Sequence, residues 1–207
     1  MKCSILIVAE GEHELSGGLS DEALPTFVRR LLGDVSELQT AGKRIRELSG
    51  HIHPGRGDRL GCKFIGIMRW AEREGHNAAI ILIDHDGDDS RLKSATFAQE
   101  TTVTLFPRAV GIAVRTFDAW FLADHAALSD VLGTTINMQP NPEDQSNAKS
   151  ICETLNGGGS EGRRLRDFYA MVAAIADLQI LRDRCPVGFS VFADRVRCLK
   201  SSILQKP

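Results

Sequence analysis

Short apolar runs alternate with segments of helical character in the first part of the chain. Runs rich in Ile and Val occur at residues 4–9, at 78–83 and from Ala109 onward, and polar or Gly residues follow the first two. Such runs are too short for a buried helix, so each predicts a buried strand. Strands that are apolar on both faces are typical of parallel sheets covered by helices on both sides.

Three segments between these runs predict helices, at residues 20–33, 60–75 and 90–102. Ser20 is the predicted N-cap of the first helix, and Gly33 is its predicted end. The element order is therefore strand, helix, helix, strand, helix, strand. This order predicts an α/β fold with a mostly parallel sheet that is flanked by helices.

The second part of the chain has a different pattern, in which loops rich in Pro, Gly and Asn separate helical segments. The predicted helices cover residues 148–155, 163–184 and 189–201. We therefore predict an α/β domain at 1–125 and a helical C-terminal extension at 126–207. The extension is expected to pack on the sheet as part of one structural unit.

Composition narrows the class of protein. The chain has 207 residues and is 43% hydrophobic, which is enough for one sizeable core. With 25 Lys+Arg against 27 Asp+Glu, a uniformly basic nucleic-acid coat is excluded, but a local basic groove is not. The N-terminal apolar run is too short to span a membrane. Five cysteines without a CxxC pair predict buried free thiols and a cytoplasmic location, with no membrane partner.

Carboxylates gather where two of the predicted strands end. Glu10 follows the first strand, and the turn "DHDGDD" after residue 83 contributes Asp84, Asp86, Asp88 and Asp89. The carboxyl ends of parallel strands lie on one edge of a sheet, so these side chains converge if the two strands are neighbours. Converging carboxylates repel one another unless a cation is present. Since Mg²⁺ needs only one or two protein carboxylates, the pattern predicts a site for one or two Mg²⁺ or Mn²⁺ ions.

The acidic turn has three other interpretations. A solvated turn explains Asp and Gly residues when this segment is taken alone. A calcium loop counted from Asp84 would need Gly at the sixth position and a carboxylate at the twelfth, where Asp89 and Ala95 stand. The segment also resembles the DxDG[TV] motif of haloacid-dehalogenase-like phosphatases, in which Asp84 would be the nucleophile. There, however, Asp88 replaces the Thr or Val, and the motif normally closes the first strand.

Glu10-Gly11 and Asp84-x-Asp86 resemble the Glu and DxD motifs of the Toprim fold. That fold serves topoisomerases, bacterial primases, recombination proteins and overcoming-lysogenization-defect nucleases. More narrowly, the chain resembles a family of small Toprim-like bacterial proteins of unknown function. Five ordered segments carry this resemblance along nearly the whole chain: "AEGEHE", "IILIDHDGDD", "TFDAWFLAD", "NAKSICETL" and "LQILRDRCPVGFSVFADRV". The resemblance implies a Toprim/Rossmann-like sheet.

The resemblance also implies roles for the acidic residues. Glu10 corresponds to the Toprim glutamate, which acts as an acid/base or joins the metal shell. Asp84 and Asp86 correspond to the metal-binding pair, and Asp88 is a candidate outer-shell or second-metal ligand. Glu14, the last residue of "AEGEHE", is a further candidate.

Three basic residues are candidates for phosphate binding. Arg56 lies in a glycine-spaced loop, and Arg59 and Lys63 stand at the start of the predicted second helix. Arginines in such a loop suit the neutralisation of a phosphate, and a helix N-terminus adds to it. A solvated loop is the alternative interpretation.

Two more candidates come from the family segments. Asp118 stands where the family's box commonly has Glu, and Lys149 occupies a position that recurs in the family. Trp120 and its apolar neighbours in "FDAWFLAD" are predicted to be core residues. Asp124 is predicted to cap or end that segment.

The resemblance implies a Mg²⁺-dependent, Toprim-type phosphodiester hydrolase that acts on nucleic acid, and hence a nuclease-like enzyme. A second hypothesis is a non-catalytic or regulatory partner of an ATPase, docked through the helical extension. A third is the dehalogenase-like phosphatase. The oligomeric state is left open by the sequence.

Overall fold

A computed structural model describes residues 3–11, 15, 22–33, 35, 37–52, 58–157 and 164–204. Three residues singled out in the sequence lie outside the described residues, namely Glu14, Ser20 and Arg56. The remaining candidates are all described. No helix in the described part of the chain is long and apolar enough to cross a membrane.

The described strands form one parallel sheet with the order β2-β1-β3-β4. The strands are β1 (Cys3–Ala9), β2 (Leu38–Arg44), β3 (Ala78–Asp84) and β4 (Arg108–Ala113). The three predicted strands are thus confirmed as β1, β3 and β4, and so is the α/β class. The sequence did not predict β2, because "LQTAGKR" has no apolar run. It is an edge strand with side chains that are partly or fully exposed.

Eight α-helices lie in the described ranges, and they cover both faces of the sheet. Their bounds are α1 Ala23–Leu32, α2 Arg59–Arg73, α3 Asp89–Glu100, α4 His125–Leu132, α5 Ala148–Leu155, α6 Leu165–Ile175, α7 Leu178–Arg184 and α8 Phe189–Leu204. Short 3₁₀ segments cover Ile45–Leu48, Phe117–Ala123 and Pro142–Asp144. The predicted helices at 60–75, 90–102, 148–155 and 189–201 are confirmed to within a few residues.

Two helix predictions need correction. The first helix begins at Ala23, with Glu22 at the N-cap position, so it starts later than the predicted Ser20 cap. The predicted single helix at 163–184 is divided into α6 and α7. The side chain of Asp177 accepts the backbone N–H of Gln179 at 2.7 Å, and this cap starts a new helix.

The sheet separates two apolar clusters, because successive residues of a strand point to opposite faces. Ile5 and Ile7 of β1 belong to the cluster that includes α1, α6 and α8, whereas Leu6 and Val8 belong to the cluster with α2 and α3. All four of these side chains are fully buried. The C-terminal helices therefore share a core with the sheet.

The helices that follow the two central strands cover opposite faces of the sheet, since α1 after β1 belongs to one apolar cluster and α3 after β3 to the other. From β1 the chain passes through α1 on one face to reach β2, and from β2 it passes through α2 on the other face to reach β3. Because β1 and β3 are neighbours, the carboxyl ends of these two strands flank the point where the strand order reverses. In open parallel sheets, ligands bind at this point.

Candidate functional site

The two acidic segments lie side by side at the reversal point of the sheet. Ala9 of β1 is level with Leu82 of β3, so Glu10 emerges next to the last residues of β3, which ends at Asp84. The two strands are neighbours, as the predicted convergence requires. The parallel direction of both strands brings Glu10, Asp84 and Asp86 to one edge.

Asp84 is the most enclosed of these three carboxylates. It is partly buried, and its Oδ1 accepts the backbone N–H of Phe117 at 2.7 Å. Phe117 begins the 3₁₀ segment that follows β4. The segment after the neighbouring strand β4 therefore holds the Asp84 side chain in one orientation through this hydrogen bond.

The backbone turns sharply after Asp84. Asp86 has a φ of +53° and Gly87 a φ of +75°, and Arg115 in the adjacent loop has a φ of +60°. The N–H of Asp86 donates to the carbonyl of Arg115 at 3.0 Å, and the N–H of Asp88 donates to the carbonyl of His85 at 2.9 Å. A left-handed non-glycine residue costs about 1–2 kcal/mol, although Asp tolerates it better than most residues. Such conformations cluster at functional sites.

Arg91 brings two of the carboxylates together. From the first turn of α3, its Nη2 donates to Oε2 of Glu10, and its Nη1 lies 3.4 Å from Oδ2 of Asp86. Arg91 was not among the residues predicted from the sequence. The available signal was a lone Arg in the first turn of the helix that follows an acidic turn.

Asp88 and Asp89 have local partners. Asp88 is the N-cap of α3, and its Oδ1 accepts the N–H of Ser90 at 2.9 Å. Hydrogen bonding from Ser90 lowers the pKa of the Asp88 carboxyl, and the charges of Arg91 and His85 add to this effect. Oδ1 of Asp89 lies 3.2 Å from Nε2 of His85. Asp88 thus lies at the predicted edge, with part of its carboxylate engaged in starting the helix.

Arg59 and Lys63 lie at the start of α2, where the sequence placed them. Arg59 is exposed and Lys63 is partly exposed. Both border a cavity of about 310 Å³, which is lined by Ser49, Ile52, Arg59, Leu60 and Lys63. Their side chains are thus available at a concave surface.

The backbone of this helix start is already engaged. Oδ1 of Asp58 accepts the N–H groups of Leu60 at 3.1 Å and of Gly61 at 2.9 Å. The same oxygen accepts the hydroxyl of Ser94 in α3 at 2.8 Å, which ties the start of α2 to α3. The N–H groups of Leu60 and Gly61 are therefore not available to bind a phosphate, contrary to expectation. The side chains of Arg59 and Lys63 remain the candidates for this role.

Asp118 directly follows Phe117, whose N–H binds Asp84, and its own side chain has other partners. The carboxylate of Asp118 is buried and accepts the hydroxyl of Tyr169, and its backbone carbonyl lies 3.7 Å from Sγ of Cys152. Burial raises the pKa of the Cys152 thiol to about 12. Lys149 is an exposed residue of α5. The structure does not bring the side chain of Asp118 into contact with those of Glu10 or Asp86.

The rest of the "FDAWFLAD" segment is structural, as predicted. Trp120, Phe121 and Leu122 are buried, and Trp120 packs against Phe117 with ring centroids 5.1 Å apart. Asp124 is the N-cap of α4. These observations confirm the predicted core role of the aromatic residues. Asp124 ends the 3₁₀ segment, as predicted, but the helix α4 that it also caps was not predicted.

The carboxylate oxygens at this edge are the type of ligand that Mg²⁺ and other hard divalent cations prefer. Within the described ranges there is no group of three or more His, Cys, Asp or Glu residues positioned to hold a metal ion. Mg²⁺, however, is held by one or two carboxylates together with waters and substrate phosphates. Glu10 and Asp86 already face one cation, the guanidinium of Arg91. The residues present therefore fit a Mg²⁺ site chemically, with Arg91 in contact with two of its predicted ligands.

Comparisons of this chain with models of known families, with curated proteins and with solved structures gave no match. Function must therefore be inferred from the side chains at the sheet edge. At this edge, the exposed carboxylates of Glu10 and Asp86 contact the mostly buried Arg91. The backbone there forms a left-handed turn at the point where the strand order reverses.

Proposed function

We propose that the chain is a Toprim-type phosphodiester hydrolase that acts on nucleic acid and depends on Mg²⁺ or Mn²⁺. One observation carries the proposal: Glu10 and Asp86 follow neighbouring central strands, and both contact the guanidinium of Arg91. Asp84 lies beside them at the end of β3. This is the place in an open parallel sheet where ligands bind. The resemblance to the Toprim motifs supports the assignment of the same three residues.

Each acidic residue has a distinct part in this proposal. Asp84 and Asp86 would hold the ion, and the hydrogen bond from Phe117 keeps Asp84 oriented before any ligand arrives. Glu10, which is exposed, would complete the shell or accept a proton from the attacking water. When bound, one or two divalent ions supply a polarised phosphate oxygen and a water of lowered pKa.

Basic residues around the edge supply the phosphate contacts. Arg59 and Lys63 border the cavity at the start of α2, which the Asp58–Ser94 hydrogen bond ties to α3. Arg115 adds a cation beside the acidic turn, because a Cβ placed on Gly87 would lie 3.4 Å from its Nη1. Contacts of this kind position a nucleic-acid backbone without reading its sequence, so we expect activity with little sequence preference.

A cleavage assay tests the proposal. Single- and double-stranded DNA and RNA are incubated with the protein in Mg²⁺, in Mn²⁺ and in EDTA. We expect metal-dependent cleavage that falls about a hundredfold or more in Asp84→Asn and Asp86→Asn, because ligands of a catalytic metal support several kcal/mol of transition-state stabilisation. Asp89→Asn is the matched control. It removes a carboxylate from the same turn, but this carboxylate contacts His85 and is not a predicted metal ligand.

Identical background rates in wild type and Asp84→Asn would show that the nuclease proposal is wrong. A phosphate monoester and a phosphodiester of p-nitrophenol separate the two hydrolase hypotheses. Turnover of the monoester with an aspartyl-phosphate on Asp84 would instead establish the dehalogenase-like reaction.

A further inference from the structure

Arg91 is the enclosed member of the charged cluster. Its side chain is 18% exposed, compared with 44% for Glu10 and 53% for Asp86. The guanidinium is thus more enclosed than the two carboxylates that it contacts. A positive charge in this position neutralises part of the charge that would attract a divalent ion.

The contacts of Arg91 leave one of its donors unused. A guanidinium has five N–H donors, and Nε of Arg91 is buried without a hydrogen-bond partner among the described residues. An unpaired buried donor is unfavourable. The hydrogen-bonding capacity of Arg91 is therefore not fully used while it contacts Glu10 and Asp86. Movement of the guanidinium to a competing acceptor costs less free energy for that reason.

A phosphate group is the acceptor that fits this donor. Arginine binds phosphate through paired N–H groups, with stronger hydrogen bonds than neutral donors make. Movement of Arg91 toward a phosphate would also free the carboxylates of Glu10 and Asp86 to bind a cation. One residue would then couple the two binding events.

We propose that Arg91 is an internal counterion that competes with the divalent ion for Glu10 and Asp86, and that a substrate phosphate relieves this competition by taking the guanidinium. This proposal rests on the metal site of the proposed function and adds a coupling to it. Metal and phosphodiester bind cooperatively, and each raises the affinity of the other by the same factor. The protein alone holds the metal weakly.

Binding of Mn²⁺, measured by electron paramagnetic resonance, tests this coupling without an activity readout. Arg91→Gln is expected to bind Mn²⁺ about tenfold more tightly than wild type, because it loses the two ion pairs that occupy Glu10 and Asp86. Lys93→Gln is the matched control, since it removes the same charge from an exposed position of the same helix. Arg91→Lys, whose single ammonium cannot span both carboxylates, should give a smaller gain.

The second arm adds a short single-stranded oligonucleotide with phosphorothioate linkages, which resist cleavage. The oligonucleotide should tighten Mn²⁺ binding to wild type and to Lys93→Gln by a larger factor than to Arg91→Gln, in which Glu10 and Asp86 are already free of the guanidinium. Thermal unfolding of each variant verifies that it is folded. Arg91→Lys carries the test if Arg91→Gln is not folded.

The outcomes separate this proposal from the proposed function. If Arg91→Gln binds Mn²⁺ no more tightly than wild type, while Asp86→Asn abolishes binding, the competition is refuted and the metal site stands. Equal tightening in Arg91→Gln and Lys93→Gln would also refute it, because the effect would then be one of net charge. If no variant binds Mn²⁺ at millimolar concentration, both proposals fail.

Discussion

Replacement of Asp124 by Ala should destabilise the protein without affecting the sheet edge. Asp124 is 3% exposed, and its Oδ1 accepts the N–H groups of Ala126 and Ala127, each at 3.1 Å. Its Oδ2 accepts the N–H of Asp177 at 2.8 Å, just before α7. One carboxylate therefore holds the starts of two helices together.

The expected loss follows from these three hydrogen bonds. Loss of an N-cap costs about 0.5–2 kcal/mol. An N–H left unpaired in a buried place costs about 1–3 kcal/mol more. We expect Asp124→Ala to lower the free energy of unfolding by about 3 kcal/mol, which corresponds to a decrease in Tm of about 6–12 °C for a chain of this size.

Urea unfolding followed by circular dichroism measures this loss. Asp124→Asn keeps one acceptor oxygen and should lose less than half as much stability as Asp124→Ala. Asp130→Asn removes a charge from an exposed position of α4 and should be close to wild type.

A loss below about 1 kcal/mol in Asp124→Ala would refute the capping argument. Loss of Mn²⁺ binding at unchanged stability would refute it in another way, by placing Asp124 in the metal site. The two results are distinguishable because stability and metal binding are measured separately.

Two further predictions concern buried titratable groups. Burial raises the pKa of Glu143, whose carboxylate accepts the N–H groups of Val187 at 3.0 Å and Gly188 at 2.6 Å. A carboxyl with a raised folded-state pKa contributes stability that is fully present below its unfolded pKa and is lost as pH rises through the folded pKa. Urea titrations from acidic to neutral pH should therefore show wild type losing stability relative to Glu143→Gln, and the opposite trend would contradict this sign. The Cys152 thiol, with a pKa raised to about 12, should resist alkylation at neutral pH until the protein unfolds. Cys198 is exposed and should react in the native state. Mass spectrometry of alkylated peptides tests this prediction, and equal labelling of the two thiols would contradict it.

The central strands were predictable because their environment is uniform. Residues 78–83 form a continuous apolar run, and in the structure that run is buried on both faces. Burial leaves a pattern that can be recognised from composition and length alone. The end of the "FDAWFLAD" segment at Asp124 was predictable for a similar reason, whereas the helix α4 that Asp124 caps was not predicted.

The second strand and the cation at the edge were not predictable in this way. The segment 38–44 becomes a strand through its ladder with β1, a pairing between segments that are distant in the chain. Arg91 reaches Glu10 across 81 positions of sequence, and this contact depends on the strand order and on the turn that precedes α3. Both features arise from tertiary pairing, which local periodicity does not encode.

The left-handed turn limits how the chain can diverge. With a φ of +53°, position 86 suits Gly, Asn and Asp and disfavours longer or branched side chains, including Glu. Of these three residues, only Asp carries a negative charge. A relative that keeps this turn can therefore lose the charge at position 86 by a single change to Asn or Gly without straining its backbone, and such a relative would keep the fold while losing one of the proposed metal ligands.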